Sequence, residues 1–313
     1  MSSTVNAPPK SKRGRKRKVE SDMPSPPYAP KLSIYGRCEH CATLLWNHPV
    51  CREAMQKAWS QACVTVGTMF SGLEGERSYL TCSARMLYHR SGGRLSLAFR
   101  YHWCCDSAAS SAKIIRMLHG TDVYVFKDAG DMVPKEGSIF NEKGQLLAET
   151  HDHGLQPVVA VDIIIAGSWC GGFSPLIKNS SDTELTYLDP SNKSCATFFY
   201  FKDLVDFLQP LMWFLENGAL MDRKPTRARP TNPRVQATAW LQKAGPGYTI
   251  EYSHMKADVM SRDPVNRHRL YMHGTSNAAV TNPIVTLETV LDVLKEPASA
   301  TLSEHLAFSI HCP

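Results

Sequence analysis

The chain has 313 residues, of which 43% are hydrophobic, 9% aromatic and 20% charged, a composition typical of a globular protein and incompatible with disorder along its whole length. No stretch approaches the roughly 18 to 20 apolar residues of a membrane span, and the polar, basic N-terminus lacks the apolar core of a secretory signal. We therefore expect a soluble, intracellular protein. Ten cysteines are too sparse for a disulfide scaffold and fit reduced thiols, a metal site or a catalytic thiol better.

The formal net charge of +6 comes from a short run near the N-terminus. Residues 10–18, KSKRGRKRK, hold seven of the 35 Lys and Arg residues, so the remaining chain has 28 basic against 29 acidic residues. Like charges and the flanking prolines oppose packing, and residues 1–31 are predicted to be a disordered tail. The run is typical of a nuclear-import signal or of an arm that binds phosphates, with a solubilising tail as the alternative. We predict a nuclear location.

Residues 32–62 are predicted to hold cysteines and one helix that leads into the main domain. The helix is expected over residues 47–62, with a shared face made by Val50, Met55, Ala58 and Trp59. The same segment offers four zinc ligands with a C-x2-C start, namely Cys38, Cys41, His48 and Cys51. Their remaining spacing is unlike that of zinc-finger loops, and zinc would compete with the helix for Cys51. We predict no metal and keep zinc as the alternative.

From residue 63 onward the sequence alternates strand-like and helix-like segments. Apolar, β-branched runs at VTVGTMF, RLSLAFRYHWCC, DVYVF, VVAVDIIIAG and PLMWFL each end in a polar or glycine-rich turn, and SAASSAKIIRMLHG has helical spacing. Two further strands are expected at YTIEYSHMKA and HRLYMHG. This alternation predicts a doubly wound, mostly parallel α/β sheet that binds its ligands at the carboxyl ends of the strands.

Polar residues at the first three strand ends suggest a cofactor site. In FSGLEG, which follows the first strand, glycines without a Cβ let a ligand approach the backbone closely, although a plain tight turn is the alternative. Asp106 and Asp128 end the second and third strands, and a carboxylate there can accept hydrogen bonds from the ribose hydroxyls of an adenosine-containing cofactor. Capping of the following helix is an equally good local interpretation.

Three later strand ends carry side chains that could act in catalysis or bind a ligand. Cys170, in GSWCGGFSPL, follows an apolar strand in a loop that would expose its sulfur and favour the thiolate, while an inert buried cysteine is the alternative. Glu216, in LENG, places a carboxylate at the end of another strand. Arg267 and Arg269 are two apart on an extended segment, so they share a face and could hold a phosphate or a planar base; otherwise they are solvated.

This ordered set of motifs resembles the DNA (cytosine-5) methyltransferase family over residues 64–274. TMFSGLEG resembles the cofactor-binding FxGxG block, Cys105-Asp106 the element that holds the cofactor ribose, and FKDAGDM the block whose Asp meets the adenine. DIIIAGSWCGGFSPL resembles the catalytic Pro-Cys-Gln block, and LENG the Glu-Asn-Val block. GYTIEYSHMKADVMSRDPVNRHRLYMHG is similar to the strand pair that ends in Pro-Gln-x-Arg-x-Arg. The six blocks stand in the family's order.

The resemblance implies a Rossmann-like, S-adenosylmethionine-dependent methyltransferase domain over residues 63–313. Its reaction would be methyl transfer to C5 of a flipped-out cytosine in DNA, through a covalent bond between the catalytic cysteine and C6. The implied catalytic residues are Cys170, Glu216, Arg267 and Arg269. The implied cofactor-binding residues are Phe70, Ser71, Gly72, Glu74, Asp106, Asp128 and Ser174.

The chain also departs from the family pattern. Trp169 stands in place of Pro, Gly171 in place of Gln, Gly218 in place of Val and Val265 in place of Gln. Residues 275–313 are too few for the family's target-recognition region and its last two blocks, which suggests a protein partner for recognition. WNHPVCREAMQKAW resembles the family's final block in a circularly permuted position, with a generic helix leading into a sheet as the alternative. Two alternatives stay open: a non-catalytic methyltransferase-like regulator that binds cofactor or nucleic acid, and a tRNA cytosine-5 methyltransferase.

Overall fold

The structure is a computed structural model, and it describes residues 34–58, 61–70, 75–167, 188, 195–222, 231–256, 268–278, 289–290 and 292–293. The chain divides into two units, Met1–Lys31 and Leu32–Pro313, and every described residue belongs to the second. Among the described residues no helix is both long enough and apolar enough to span a membrane.

Helices and strands alternate along most of the described chain. The helices are α1 (Ile34–Asn47), α2 (Pro49–Ala58), α3 (Gly75–Arg90), α4 (Ala109–His119), α5 (Ala196–Leu208) and α6 (Pro233–Leu241). The strands are β1 (Gln61–Met69), β2 (Ser96–Cys105), β3 (Tyr124–Phe126), β4 (Ile139–Phe140), β5 (Leu146–Glu149), β6 (Leu155–Pro157), β7 (Ile163–Gly167), β8 (Met212–Gly218), β9 (Tyr248–Lys256) and β10 (His268–Ser276).

Seven strands form one sheet in the order β3-β2-β1-β7-β8-β10-β9. The neighbours from β3 to β8 are parallel, while β10 runs antiparallel to both β8 and β9. The five parallel strands lie in the order β3-β2-β1-β7-β8. When only these five are counted along the chain, this is the 3-2-1-4-5 order of a doubly wound fold, and the order reverses between β1 and β7. The predicted Rossmann-like, mostly parallel α/β architecture is therefore confirmed, and the strand reversal identifies where such a sheet binds its ligand.

A β-bulge in β2 sets which side chains face each layer. Val66 pairs with Tyr101 and Gly67 with Trp103, so His102 is the extra residue. After the bulge, Trp103 lies on the same face as Gly67, where a Cβ on that glycine would lie 2.2 Å from the indole ring. The buried indole donates from Nε1 to the carbonyl oxygen of Val159 at 2.9 Å. A glycine at position 67 is thus required by the close approach of the ring.

Two apolar layers cover the sheet. On one face the tryptophans Trp103 and Trp213 pack in a large core with residues of α5 and α6, including Phe201 and Leu241. On the other face, α4 contributes Ala112 and Ile115 to a core with Val66, Tyr101 and Val125. Because β8 and β10 turn Trp213 and Leu270 to the α5–α6 side, Glu216 and Arg269 face the opposite side by alternation.

The predicted helix before the first strand is shorter than expected, and its apolar face is different. It ends at Ala58, and β1 already begins at Gln61. Val50 is 55% exposed, whereas Cys51 and Met55 are buried with Leu87 of α3. The prediction that Val50 shares a helix face with Met55 was wrong, because residues five positions apart lie on different sides of a helix. Cys51 and Met55 are four positions apart and do share a face. Trp59 lies outside the described residues.

Candidate functional site

The strand ends β1 and β7 come together at the point where the sheet order reverses. Phe70, directly after β1, has a positive φ of 58°, and its N–H donates to the carbonyl oxygen of Cys105 at 2.8 Å. Its own carbonyl oxygen lies 3.3 Å from the position a Cβ on Gly167 would take. A non-glycine residue with positive φ at a ligand-binding edge is the type of strain that functional sites retain. Ser71, Gly72 and Glu74 lie outside the described residues.

Asp106 follows β2 directly, as predicted. Its Oδ1 accepts a hydrogen bond from the N–H of Ala108 at 2.9 Å, and its carbonyl oxygen accepts one from Nε2 of His151 at 2.9 Å. The N-cap of α4 is Ala108, without a side-chain cap, so Asp106 stabilises a turn and does not cap the helix. Within the described chain Oδ2 of Asp106 has no hydrogen-bond partner, which leaves it available to a ligand.

Asp128, after β3, does have the capping role that the sequence left open. It is the N-cap of a short 3-10 helix, Ala129–Asp131, and its Oδ1 accepts from the N–H of Gly130 at 2.7 Å. The side chain is nevertheless exposed at the strand end. Capping uses one carboxylate oxygen, so it does not exclude a ligand on the other.

Carboxylates concentrate negative charge at the ends of β2 and β3. Burial raises the pKa of the Cys105 thiol, and the nearby carboxylates Asp128, Asp106 and Asp131 raise it further. Cys105 is therefore held as a neutral thiol beside an acidic edge. Such an edge suits a ligand that carries positive charge and hydroxyl donors. S-adenosylmethionine has a sulfonium, an amino group and ribose hydroxyls, so the residues present fit this cofactor.

Glu216 and Arg269 form an ion pair at the carboxyl end of β8. Nε of Arg269 lies 2.5 Å from Oε1 of Glu216, with side chains 18% and 25% exposed respectively. Tyr271 pairs with Glu216 and Arg269 with Gly218, so the two charged residues are diagonal neighbours on one face. The structure thus brings together two of the four predicted catalytic residues.

The same carboxylate borders the strand that leads to Cys170. Glu216 pairs with Gly167, the last residue of β7, and Cys170 comes three residues later in the sequence. Cys170, Ser174 and Arg267 lie outside the described residues.

The structure does not bring the four alternative zinc ligands together in one cluster. In the described ranges no group of three or more His, Cys, Asp or Glu residues could hold a metal ion, and Cys38, Cys41, His48 and Cys51 all lie in those ranges. Burial is the largest cause that raises the pKa of each of the three thiols. Cys38 instead donates to the carbonyl oxygen of Tyr79 at 3.6 Å, and Cys51 packs in an apolar cluster.

The structure adds a charged cluster that the sequence analysis did not identify. Asp222, in a 3-10 helix after β8, accepts hydrogen bonds from three side chains: Asn232 at 2.9 Å, Arg234 at 2.7 Å and His254 at 2.9 Å. Asn232-Pro233 is a recognisable helix start, and Asn232 does cap α6. The contacts to His254 join distant segments, so no local pattern predicts them.

Comparisons with known proteins find structural likeness only. No protein-family model and no curated protein matches the sequence. One similar solved structure is a DNA modification methyltransferase encoded within an E. coli prophage, with 18% identity, a TM-score of 0.41, and coverage of 69% of this chain and 47% of that one. Another is the S. pombe Dnmt2 methyltransferase, with 15% identity, a TM-score of 0.43, and coverage of 77% and 57%. The chain thus matches about half the length of these two proteins.

Proposed function

We propose that this chain transfers a methyl group from S-adenosylmethionine to C5 of cytosine in DNA, through a covalent bond between Cys170 and C6. The observation that carries the proposal is the ion pair between Glu216 and Arg269 beside Gly167. Three residues of chain span at most about 11 Å, so Cys170 can lie no farther than that from Gly167, the residue that pairs with Glu216. A nucleophile, a carboxyl group and a guanidinium are the groups that this reaction requires.

The covalent step makes C5 of cytosine nucleophilic. The thiolate of Cys170 adds to C6, and the electron pair of the C5–C6 double bond moves towards C5 and the ring. Glu216, in its protonated form, donates a hydrogen bond or its proton to N3, which stabilises the charge that develops in the ring. Arg269, held by Glu216, and Arg267 position the base. After C5 has gained the methyl group, a base removes the C5 proton, the double bond re-forms and the thiolate leaves.

Cofactor binding is assigned to the acidic half of the sheet edge. Asp106 would accept hydrogen bonds from the ribose, and Asp128 would meet the adenine, beside the backbone turn at Phe70. Ser71, Gly72, Glu74 and Ser174 complete the proposed set. When bound, S-adenosylmethionine would supply an electrophilic methyl group, with S-adenosylhomocysteine as the leaving group. Because the cytosine must leave its duplex to reach this edge, base flipping is part of the proposal.

The basic run at residues 10–18 supports a proposal about the protein's location and partner. Residues 10–18 hold seven positive charges, which suit nuclear import and binding to DNA phosphates. The proposed location is the nucleus, with DNA as the partner.

A methyl-transfer assay separates this proposal from its alternatives. The full chain is incubated with radiolabelled S-adenosylmethionine and either duplex DNA or a tRNA transcript, and Cys170→Ser protein serves as the matched control. If the parent labels DNA and the Cys170→Ser protein does not, the proposal is supported. Label on tRNA only identifies the tRNA enzyme, and label on neither substrate, with S-adenosylmethionine still bound, identifies a non-catalytic regulator.

A further inference from the structure

A cluster on the other face of the same sheet edge holds one arginine in an orientation fit for an anion. We propose that Arg234 binds a backbone phosphate of the nucleic-acid substrate, with Asp222 and Tyr252 holding its guanidinium in place. This inference rests on the proposed function for the identity of the substrate. The cluster consists of Asp222, Asn232, Arg234, Tyr252 and His254.

The position of the cluster follows from strand register. His254 pairs with Leu270, and Leu270 pairs with Asn217 of β8. Asn217 is the neighbour of Glu216 and points to the opposite face. The cluster therefore flanks the carboxyl end of β8 from the α6 side, while Glu216 and Arg269 flank it from the other side. In the proposed complex, the polynucleotide presents a base on the Glu216 side of this edge, and its backbone passes the Arg234 side.

Arg234, whose side chain is 16% exposed, is held by two interactions that use its Nε and one face of its guanidinium. Its Nε donates to Oδ1 of Asp222 at 2.7 Å, and its Cζ lies 3.8 Å from the centroid of the Tyr252 ring, within the range of a cation–π interaction. In the described part of the chain, Nη1 and Nη2 have no hydrogen-bond partner. Those two nitrogens form the forked end that binds a phosphate with two parallel hydrogen bonds.

The carboxylate that orients Arg234 stays ionised. Burial alone would raise the pKa of Asp222, but hydrogen bonds from His254, Arg234 and Asn232 outweigh it and lower the pKa. Three donors on one carboxylate also fix its direction. The guanidinium is thus pre-oriented before a ligand arrives, which reduces the entropy cost of binding.

The chemistry of the cluster favours a phosphate over a carboxylate of a protein partner. Tyr252 is 43% exposed beside the guanidinium, and an exposed ring beside an arginine is a surface on which nucleotide bases stack. Residues 223–230, which directly follow Asp222 in the sequence, read RKPTRARP and carry four positive charges and no negative charge. A polyanion matches this composition better than a single acidic side chain does.

The test measures binding of the full chain to a fluorescein-labelled DNA duplex and to a labelled tRNA transcript over a range of salt concentrations. Arg234→Gln should weaken duplex binding about tenfold and lower the salt slope by about 0.9, the value for one neutralised phosphate. Arg234→Lys should keep the slope and bind less tightly than the parent, because it keeps the charge without the fork. Arg90→Gln removes the same charge from the end of α3, where Arg90 pairs with Glu39 at 3.3 Å, and should change neither quantity.

The outcomes separate the phosphate site from the proposed function. If both Arg234 variants bind DNA and tRNA as the parent does, with the parent's salt slope, the site is overturned whatever the methyl-transfer assay shows. If the slope falls for Arg234→Gln although the parent transfers no methyl group, the site stands and the proposed catalysis fails. A parent that binds neither nucleic acid overturns both. Circular dichroism and S-adenosylmethionine binding confirm that each variant is folded.

Discussion

Asp162 and Thr65 join β7 to β1 by reciprocal hydrogen bonds. Oδ2 of Asp162 accepts from the N–H of Thr65 at 2.8 Å and from its Oγ1 at 2.7 Å, while Oγ1 accepts from the N–H of Asp162 at 2.8 Å. These bonds fix the register of the two parallel strands whose opposite ends form the candidate site. A shift between these strands would displace Gly167 relative to Phe70.

Replacing Asp162 with Ala should therefore destabilise the fold. The substitution removes two hydrogen bonds to a charged acceptor, and we expect the free energy of unfolding to fall by about 1.5 to 3 kcal/mol. Urea unfolding followed by circular dichroism measures the change. Asp203→Ala is the matched control, because Asp203 pairs with its neighbour Lys202 and its side chain is 48% exposed; it should cost less than about 1 kcal/mol. Equal destabilisation of both variants would contradict the structural role of Asp162.

A second prediction concerns the packing of Gly67 against Trp103. A Cβ at position 67 would lie 2.2 Å from the buried indole, so Gly67→Ala should destabilise the fold by about 1 to 3 kcal/mol through overpacking. Since the ring causes the clash, the same substitution should cost much less in a Trp103→Leu background. A double-mutant cycle from thermal unfolding gives the coupling. Strict additivity would show that the cost has another source.

The sequence predicted the five parallel strands because each is an apolar run that ends at a polar or glycine-rich turn, and it also predicted β9 and β10 from YTIEYSHMKA and HRLYMHG. It could not predict the short strands β4, β5 and β6, because IF, LLAE and LQP are too short and too poor in β-branched residues to indicate strands. The equally short β3 was predicted because it lies in the apolar run DVYVF. The bulge at His102 was also beyond prediction, because its effect depends on how β2 pairs with β1. The local sequence therefore indicates which segments form strands, but the direction in which Trp103 points depends on how β2 pairs with β1.

The candidate site also contains some residues that the sequence predicted and others that only the structure reveals. Asp106, Asp128 and Glu216 were predicted because they stand where strands end, and the structure places them there. The interpretation of Asp128 as a cap and of Asp106 as a turn residue required the observed backbone geometry. Asp222 was not predicted, since its hydrogen bond to His254 joins segments 32 residues apart. Only the tertiary structure reveals such an interaction.

The proposed nucleophile can be tested by trapping. On DNA that contains 5-fluorocytosine, with S-adenosylmethionine present, C5 carries fluorine in place of the proton that a base would remove. Cys170 should therefore stay covalently bound to C6 and shift the protein on a denaturing gel. Cys170→Ser should abolish this complex, because the thiolate is the nucleophile. Cys63→Ser, at an exposed cysteine of β1, should form it as the parent does. Equal trapping of Cys170→Ser and parent would exclude Cys170.

The proposed cofactor role of Asp106 predicts a reduced S-adenosylmethionine affinity when this residue is replaced. Asp106→Ala should weaken binding by about 1.5 to 3 kcal/mol, the range for a hydrogen bond to a charged group. Asp106→Asn is the sharper variant, because its side-chain oxygen can still accept from the N–H of Ala108 and so preserve the turn. Calorimetry on both variants and on Asp203→Ala gives the comparison. Unchanged affinity in both Asp106 variants would remove Asp106 from the cofactor site.

The basic tail carries the last prediction. Deleting residues 10–18 should leave the fold and the S-adenosylmethionine affinity intact while weakening nonspecific DNA binding and nuclear accumulation. The reason is electrostatic, because those residues hold seven positive charges and the rest of the chain has 28 basic against 29 acidic residues. The salt slope of duplex binding should fall by about 0.9 for each phosphate that the tail no longer neutralises. Anisotropy titrations with labelled DNA and imaging of a fluorescent fusion measure the two effects.

Residues 1–9 provide a control of matched length, since MSSTVNAPP is also nine residues long and has no charged side chain. Deleting them should change neither the salt slope nor the nuclear distribution, because counterion release depends on the number of phosphates that Lys and Arg neutralise. If the deletion of residues 10–18 also leaves both unchanged, the attraction for DNA comes from the folded domain. Arg234 of α6 and Arg269 of β10, which flank the carboxyl end of β8, would then be the first residues to test as its source.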